Sequence, residues 1–104
     1  MESCYTVSEL EAVKKAVLEG VRRSKNISEA DIENIEVCES CYTNIKVELS
    51  LVGAVCIGFD DLAEIAEKVR ETNLGSVYIV DGKAFPLDFK IHAGSDKTWL
   101  ELWF

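Results

Sequence analysis

The chain has 104 residues, of which 48% are hydrophobic and 29% charged, and its formal net charge is -8 at pH 7. The hydrophobic content is too high for a disordered chain, and no apolar run approaches the roughly 20 residues that span a bilayer. We therefore expect one domain over residues 1–104. Because acidic residues outnumber basic ones 19 to 11, we expect no direct nucleic-acid binding and no binding to anionic membrane surfaces.

An amphipathic helix is predicted near the start of the chain, over Val7 to about Ser24. Apolar residues recur there at a spacing of three to four, which places them on one side of a helix. Thr6 and Glu9 have the spacing of a capping box, which marks where the helix begins. Ala16 and Gly20 flank the apolar stripe, and their small size favours close packing against another element.

Two strands and a second helix are predicted next. The strands are Asn34–Cys38 and Thr43–Leu51, and the second alternates apolar and polar residues with the period of two of a half-buried strand. The apolar run Leu51–Ile57 contains Gly53, which indicates a bend or a bulge. Asp60–Thr72 then has the periodicity of an amphipathic helix, with an acidic residue available to cap it.

The last third of the chain predicts three strands. Val77–Val80 and Lys83–Ile91 flank Asp81-Gly82, a pair that suits the type I′ turn of a hairpin. Pro86 has no N–H to donate, so it lies on an edge strand, at a bulge or at a non-pairing position. With Thr98–Phe104 as the final strand, the order is αββαβββ. This order predicts an α+β two-layer sandwich, in which a five-stranded, mainly antiparallel sheet carries two helices on one face.

Two cysteines, Cys38 and Cys41, form a Cys-x-x-Cys motif on the first predicted hairpin turn. That spacing suits one half of a zinc site or a redox pair. A closed zinc site needs two more ligands, and the other candidates, Cys4, Cys56 and His92, are scattered. We therefore expect no cofactor, with a disulfide or inert thiols at the motif and Cys56 as a small core residue, and keep zinc as the alternative.

No catalytic motif is present. His92 is the only histidine, and the sequence names no partner that would orient it as a general base. Phosphate-binding loops, nucleophile elbows and zinc-protease motifs are missing from the sequence. We therefore expect that the protein is not an enzyme.

Acidic residues without any base fill the segment 27–41. The simpler interpretation is a solvated edge that keeps the protein soluble. The alternative is a mimic of nucleic-acid phosphates that inhibits a nucleic-acid-binding partner. The acidic residues are Glu29, Asp31, Glu33, Glu36 and Glu39.

Large apolar residues occupy both faces of the final predicted strand, and Val77–Val80 repeats the pattern. A sheet that helices cover on one side only cannot hide both sets, and exposed aromatic residues mark association surfaces. We therefore expect an interface anchored by Tyr78, Trp99 and Trp103. The alternative is a central strand that is covered on both faces. The opposite face of the final strand carries Leu100, Leu102 and Phe104.

Together these features predict a small acidic protein–protein interaction module. We expect it to self-associate through the sheet face or the C-terminal strand, as a homo-oligomer that has a protein partner. The first five residues show no apolar secretory stretch, so we expect a cytoplasmic protein. The zinc or thiol site at Cys38 and Cys41 and the nucleic-acid mimic are the two alternatives.

Overall fold

Two helices and six strands follow one another in the computed structural model, which describes residues 5–27, 29–38, 44–52 and 56–104. The helices are amphipathic and the strands are short, as the spacing of apolar residues predicts. In chain order the elements are α1 Val7–Arg23, β1 Ala30–Cys38, β2 Asn44–Val52, α2 Phe59–Glu71, β3 Val77–Val80, β4 Lys83–Pro86, β5 Asp88–Ala93 and β6 Lys97–Trp103.

Four of the strands form an antiparallel sheet in the order β1–β2–β6–β5. The C-terminal strand β6 is therefore inside the sheet, where it pairs with β2 on one side and β5 on the other. β3 and β4 form a separate two-stranded hairpin. Among the described residues, β1 and β5 are the two edges of the larger sheet.

Both helices contribute to the core that covers one face of the larger sheet. Alternate residues of β2 and β6 enter this core, while the residues between them, such as Lys46 and Trp99, lie on the opposite face. The fully buried residues of the core include Val13, Val17, Leu49, Leu51, Ile65, Val69, Leu100, Leu102 and Phe104.

The structure confirms an α+β fold with two helices and a mainly antiparallel sheet. The predicted order αββαβββ, with five strands in one sheet, is wrong because the segment Lys83–Ile91 forms two strands. β4 ends at Pro86, which has no N–H for a ladder, and β5 begins at Asp88 in the other sheet. Between them the Leu87 N–H donates to the Trp103 carbonyl oxygen at 2.8 Å, so the chain has already joined the larger sheet.

β1 begins at Ala30, before the predicted start at Asn34. The sequence did not reveal its first residues because a β-bulge interrupts the alternation of apolar and polar residues there. The register against β2 shifts between Ile32 and Asn34. As a result Ile32 and Ile35, three residues apart, both pack against the core. A spacing of three is not the period of a strand, so the sequence pattern did not indicate one there.

The predicted start of α1 and its close packing are both confirmed. The Glu9 N–H donates to Thr6 Oγ1 at 3.1 Å, and the Thr6 N–H donates to Glu9 Oε1 at 2.9 Å, which completes the capping box. Gly20 lies against α2 so closely that a Cβ atom there would stand 2.4 Å from the Ile65 Cα atom. Glycine is therefore required at this helix crossing.

Candidate interaction site

The structure places the two predicted tryptophan anchors together and the tyrosine elsewhere. Trp99 and Trp103 share the face of β6 that points away from the helices, and Trp99 is 45% exposed. Trp103 is half-buried, because the ammonium groups of Lys46 and Lys90 lie 5.5 and 5.8 Å from its ring centroid. Tyr78 is exposed on β3, in the separate hairpin. That these residues form an interface stays a prediction.

Charged residues surround the two tryptophans on this uncovered sheet face. Lys46 Nζ lies 3.0 Å from both Glu48 Oε1 and Glu101 Oε1, and His92 Nε2 lies 2.8 Å from Glu101 Oε2. The hydrogen bond with His92, followed by that with Lys46, lowers the pKa of Glu101. Hydrogen bonds to Glu101 and Glu48 raise the pKa of Lys46. This face is therefore a paired charge network with tryptophan rings set into it.

The C-terminal strand has no free edge. Both of its neighbours, β2 and β5, are in register over most of its length. The last residue continues the pairing, because the Phe104 N–H and carbonyl oxygen exchange 2.8 Å hydrogen bonds with Ile45. A partner strand cannot add to β6, so self-association through this strand would have to use its outward side chains.

An apolar cleft opens on the opposite side of the molecule, between the start of α2, the β3–β4 hairpin and β5. Its volume is about 350 Å³, and all the residues that line it are apolar. The rings of Phe59 and Phe85 meet edge to face, with centroids 6.4 Å apart. Phe59 is 70% exposed and Val80 is 54% exposed. The lining residues are Phe59, Leu62, Val80, Phe85, Pro86 and Phe89.

The cleft continues onto two neighbouring apolar positions. Phe89 and Ile91 on β5 are opposite the buried residues Leu102 and Leu100, so they lie on the helix-covered side of the sheet, yet they are 37% and 42% exposed. Tyr78 is opposite Phe85 in the hairpin, and residues opposite one another share a face. The predicted anchor Tyr78 therefore belongs beside the cleft and not beside the tryptophans.

The free edge of β5 runs alongside this cleft. Amide groups alternate in direction along an antiparallel strand, and the Gly94 N–H, just beyond β5, donates toward β6 at the Lys97 carbonyl oxygen. The backbone groups of Phe89 and Ile91 consequently point away from β6. The Phe89 N–H donates instead to the carboxylate Oδ1 of its neighbour Asp88 at 2.8 Å. This N–H is bonded to an exposed side chain and not to another strand, so it can exchange that hydrogen bond for one with the backbone of an incoming strand.

A buried carboxylate holds the start of α2, and so the position of Phe59. Asp61 Oδ2 accepts hydrogen bonds from the Gly58 N–H at 2.9 Å and from Asn26 Nδ2 at 2.8 Å, and Oδ1 faces the Lys25 and Asn26 N–H groups. Burial raises the pKa of Asp61, but the hydrogen bonds from Gly58, Asn26 and Lys25 outweigh it, so the net pKa lies below the ordinary value. The carboxylate therefore stays ionised and ties α2 to the end of α1.

The hairpin side of the cleft is fixed by the turn that the sequence predicts. Asp81 and Gly82 have φ angles of 50° and 80°, and Val80 pairs with Lys83. These positive φ angles are those of a type I′ turn, which confirms the predicted hairpin connection. Lys83 also contacts Asp60, with Nζ 3.3 Å from Oδ1, so the hairpin is linked to the first turn of α2.

The cysteine prediction falls largely outside the described residues. Cys38 ends β1, and Cys41 and the side chain of Cys38 are not among the described parts of the chain. Cys56 is exposed, so the prediction that it is a core residue is wrong. Of the apolar run Leu51–Ile57, Leu51 and Val52 are the last residues of β2, and Cys56 lies in the segment that leads into α2. Within the described residues, no group of three or more metal-ligating side chains comes together.

The acidic segment lies along one edge of the sheet. Four of its acidic residues are exposed, three of them on β1, and the fifth, Glu39, lies outside the described residues. Charges and a bulge on an edge strand protect it from pairing with other chains. This position is consistent with a solvated edge. The four residues are Glu29, Asp31, Glu33 and Glu36.

The chain has no match among protein-family models, curated proteins or solved structures. In the part of the chain that the structure describes, no helix has the length and apolar character needed to cross a membrane. The two surfaces described above, the polar sheet face and the apolar cleft, are therefore the basis on which a function can be proposed.

Proposed function

We propose that the protein is a small protein–protein interaction module that binds an extended polypeptide segment at the apolar cleft and the free edge of β5. The observation that carries this proposal is an open cleft, lined entirely by apolar residues, beside a strand edge with which no other described strand pairs. The proposal keeps several expectations from the sequence: a protein partner, a homo-oligomer, a cytoplasmic location, and no enzymatic activity or cofactor.

Binding of a strand would use the backbone and the side chains at once. The outward amide groups of Phe89 and Ile91 would pair with the backbone of the incoming segment, which supplies affinity independent of its sequence. Alternate side chains of that segment would enter the cleft against Phe59 and Phe85, which supplies selectivity for apolar residues. Fully burying one phenylalanine side chain is worth about 1.5–3 kcal/mol, so the exposed rings can offset a large part of the cost of association.

The uncovered sheet face is the second surface to test, because Trp99 is exposed there. A partner on that face would have to remove water from the ion pairs of Lys46 with Glu48 and Glu101. Desolvation of such pairs is costly unless the partner replaces the lost hydrogen bonds. Trp103 also presents less free ring surface to a partner, since the side chains of Lys46 and Lys90 already pack over its ring. These observations favour the cleft.

Peptide selection followed by point variants tests the proposal. Linear peptides selected against the whole protein from a random displayed library are expected to carry apolar residues at alternate positions. Calorimetry would then compare Phe59→Ser with Trp99→Ser, two exposed aromatic residues on opposite sides of the molecule. We expect Phe59→Ser to weaken binding about tenfold or more and Trp99→Ser to change it less than about twofold.

The reverse pattern would assign the binding site to the sheet face and overturn the proposal. Thermal unfolding of both variants serves as the control for folding, since each side chain is exposed and neither is in the buried core. A selection that yields only peptides whose affinity is insensitive to Phe59→Ser would equally contradict binding at the cleft.

A further inference from the structure

The free edge of β5 presents its backbone groups and its charged side chains in a fixed order. Phe89 and Ile91 have outward N–H groups, and their side chains lie on the helix-covered side of the sheet. Lys90 lies between them with its side chain on the uncovered face, opposite Glu101 of β6. A strand that pairs with Phe89 and Ile91 must therefore place its intervening residue beside Lys90.

Lys90 is left out of the charge network on the uncovered face. Glu101 is directly opposite Lys90, but both of its carboxylate oxygens have other partners: Oε1 lies 3.0 Å from Lys46 Nζ, and Oε2 lies 2.8 Å from His92 Nε2. Lys90 is exposed and forms no ion pair with any residue that the structure describes; its Nζ lies 5.8 Å from the centroid of the Trp103 ring. The cation beside the free edge can therefore accept a carboxylate from a partner.

A second charge on β5 gives an incoming segment a direction. Asp88 is on the same face as Lys90, two residues before it, and its Oδ1 now accepts a hydrogen bond from the Phe89 N–H at 2.8 Å. When that N–H joins a new ladder, the Asp88 carboxylate becomes free to pair with a cation. In an antiparallel segment, the residue beside Asp88 comes two positions after the residue beside Lys90.

Antiparallel alignment suits this edge better than parallel alignment. All the strand pairs described in the larger sheet are antiparallel, and antiparallel ladders are slightly more stable per residue. With Phe89 and Ile91 in hydrogen-bonded pairs, Lys90 occupies a non-hydrogen-bonded pair, in which the Cα atoms are only about 4.5 Å apart. Opposite charges across such a pair are stabilising, and like charges are destabilising.

We propose that the cleft and the β5 edge recognise a segment of a partner protein with the order apolar–acidic–apolar–basic, bound antiparallel to β5; this inference rests on the proposed function. The apolar residues lie opposite Ile91 and Phe89, the acidic residue pairs with Lys90, and the basic residue pairs with Asp88. The ladder and the apolar contacts supply affinity, and the charged pairs select the sequence and its direction. Because the two charges cancel, the segment as a whole is not repelled by a chain of net charge -8.

A charge swap across the Lys90 pair tests this inference. The best-binding peptide from the displayed library is synthesised in two versions, with glutamate or lysine between its two apolar residues. Calorimetry then measures both versions against wild type and Lys90→Glu. Wild type should bind the glutamate version roughly fivefold more tightly, and Lys90→Glu should prefer the lysine version by a similar factor. Each preference is a ratio measured on one protein, so a small change in stability does not affect it.

Lys97→Glu is the matched control, because Lys97 is exposed on the same face of β6 but lies four residues before Glu101, the residue opposite Lys90. This variant should keep the wild-type preference. Peptides that lose affinity in Phe59→Ser but bind equally well in both versions would overturn the inference and leave the proposed function standing. Selected peptides with the reverse order of charges would overturn the antiparallel alignment. A selection without any peptide sensitive to Phe59→Ser would contradict the proposed function and this inference with it.

Discussion

Asp61→Asn is the substitution that most directly tests how the cleft is held together. Asp61 is only 1% exposed, and its carboxylate accepts hydrogen bonds from the loop after α1 and from the residue before α2. Asparagine has nearly the same shape, but its amide nitrogen donates instead of accepting. All the groups that face the carboxylate are donors. The amide nitrogen of asparagine would therefore face N–H groups to which it cannot offer a hydrogen-bond acceptor.

The expected loss can be worked out from these contacts. Whichever way the asparagine side chain is turned, two of the four facing donors lose their acceptor. A hydrogen bond to a charged group contributes about 1.5–3 kcal/mol, and removal of the buried charge returns part of that in desolvation energy. We therefore expect Asp61→Asn to lower the free energy of unfolding by about 3 kcal/mol, a large share of the stability of a domain this size.

Urea denaturation followed by tryptophan fluorescence measures this loss, with Asp60→Asn as the matched control. Asp60 is adjacent and exposed, and its contact with Lys83 is a surface ion pair, so its substitution should change the free energy of unfolding by less than about 0.5 kcal/mol. Equal effects of the two substitutions, or a loss below about 1 kcal/mol for Asp61→Asn, would refute the role assigned to the buried carboxylate.

The pH dependence of the same measurement supplies an independent check. The pKa of Asp61 in the folded protein lies below the ordinary value of 3.8, so its contribution to stability is fully present above that pH and is lost as pH falls through the folded pKa. The difference between wild type and Asp61→Asn should therefore shrink under acid conditions. A difference that stays constant down to about pH 2.5 would show that ionisation of this group does not stabilise the fold.

Three further predictions concern other parts of the fold. Gly20→Ala should destabilise by about 1–3 kcal/mol in thermal or urea unfolding, because its Cβ would lie 2.4 Å from the Ile65 Cα atom, and an unchanged midpoint would contradict the close helix crossing. Glu101→Gln should cost less than about 1 kcal/mol at neutral pH, and the cost should disappear as acid protonates the wild-type carboxylate, whose folded pKa is lowered; a cost that persists in acid would refute the charge network. Metal analysis of the purified protein should find no stoichiometric zinc, whereas one zinc per chain that is lost in Cys41→Ser would establish the alternative.

Local features of the fold could be read from the sequence because short-range chemistry determines them. Thr6 with Glu9 forms the expected capping box, and the Asp81-Gly82 turn forms the expected hairpin. The alternation along β6 is also as predicted, with its leucines buried and Trp99 on the opposite face. Each of these depends on residues within a few positions of one another.

The arrangement of strands and the cleft could not be predicted in the same way. Pro86 indicated a disturbed strand but did not reveal that the chain passes from one sheet to another there. The cleft brings together Phe59, Phe85 and Phe89 from three different elements. In the sequence, Phe59 looks like an ordinary apolar residue next to the start of a helix. Only the tertiary packing shows that it lines a cleft. A signal was nevertheless present, since apolar residues lie on both faces of the β3–β4 hairpin.

Amide hydrogen exchange on β5 measures the central claim most directly, because it reports the backbone of the proposed binding edge itself. In the free protein at low concentration, the outward amides of Phe89 and Ile91 should exchange much faster than the inward amides of Lys90 and His92. At saturating concentrations of a selected peptide, we expect the two outward amides to become strongly protected. Unchanged exchange at Phe89 and Ile91 in the saturated complex would contradict strand addition at β5.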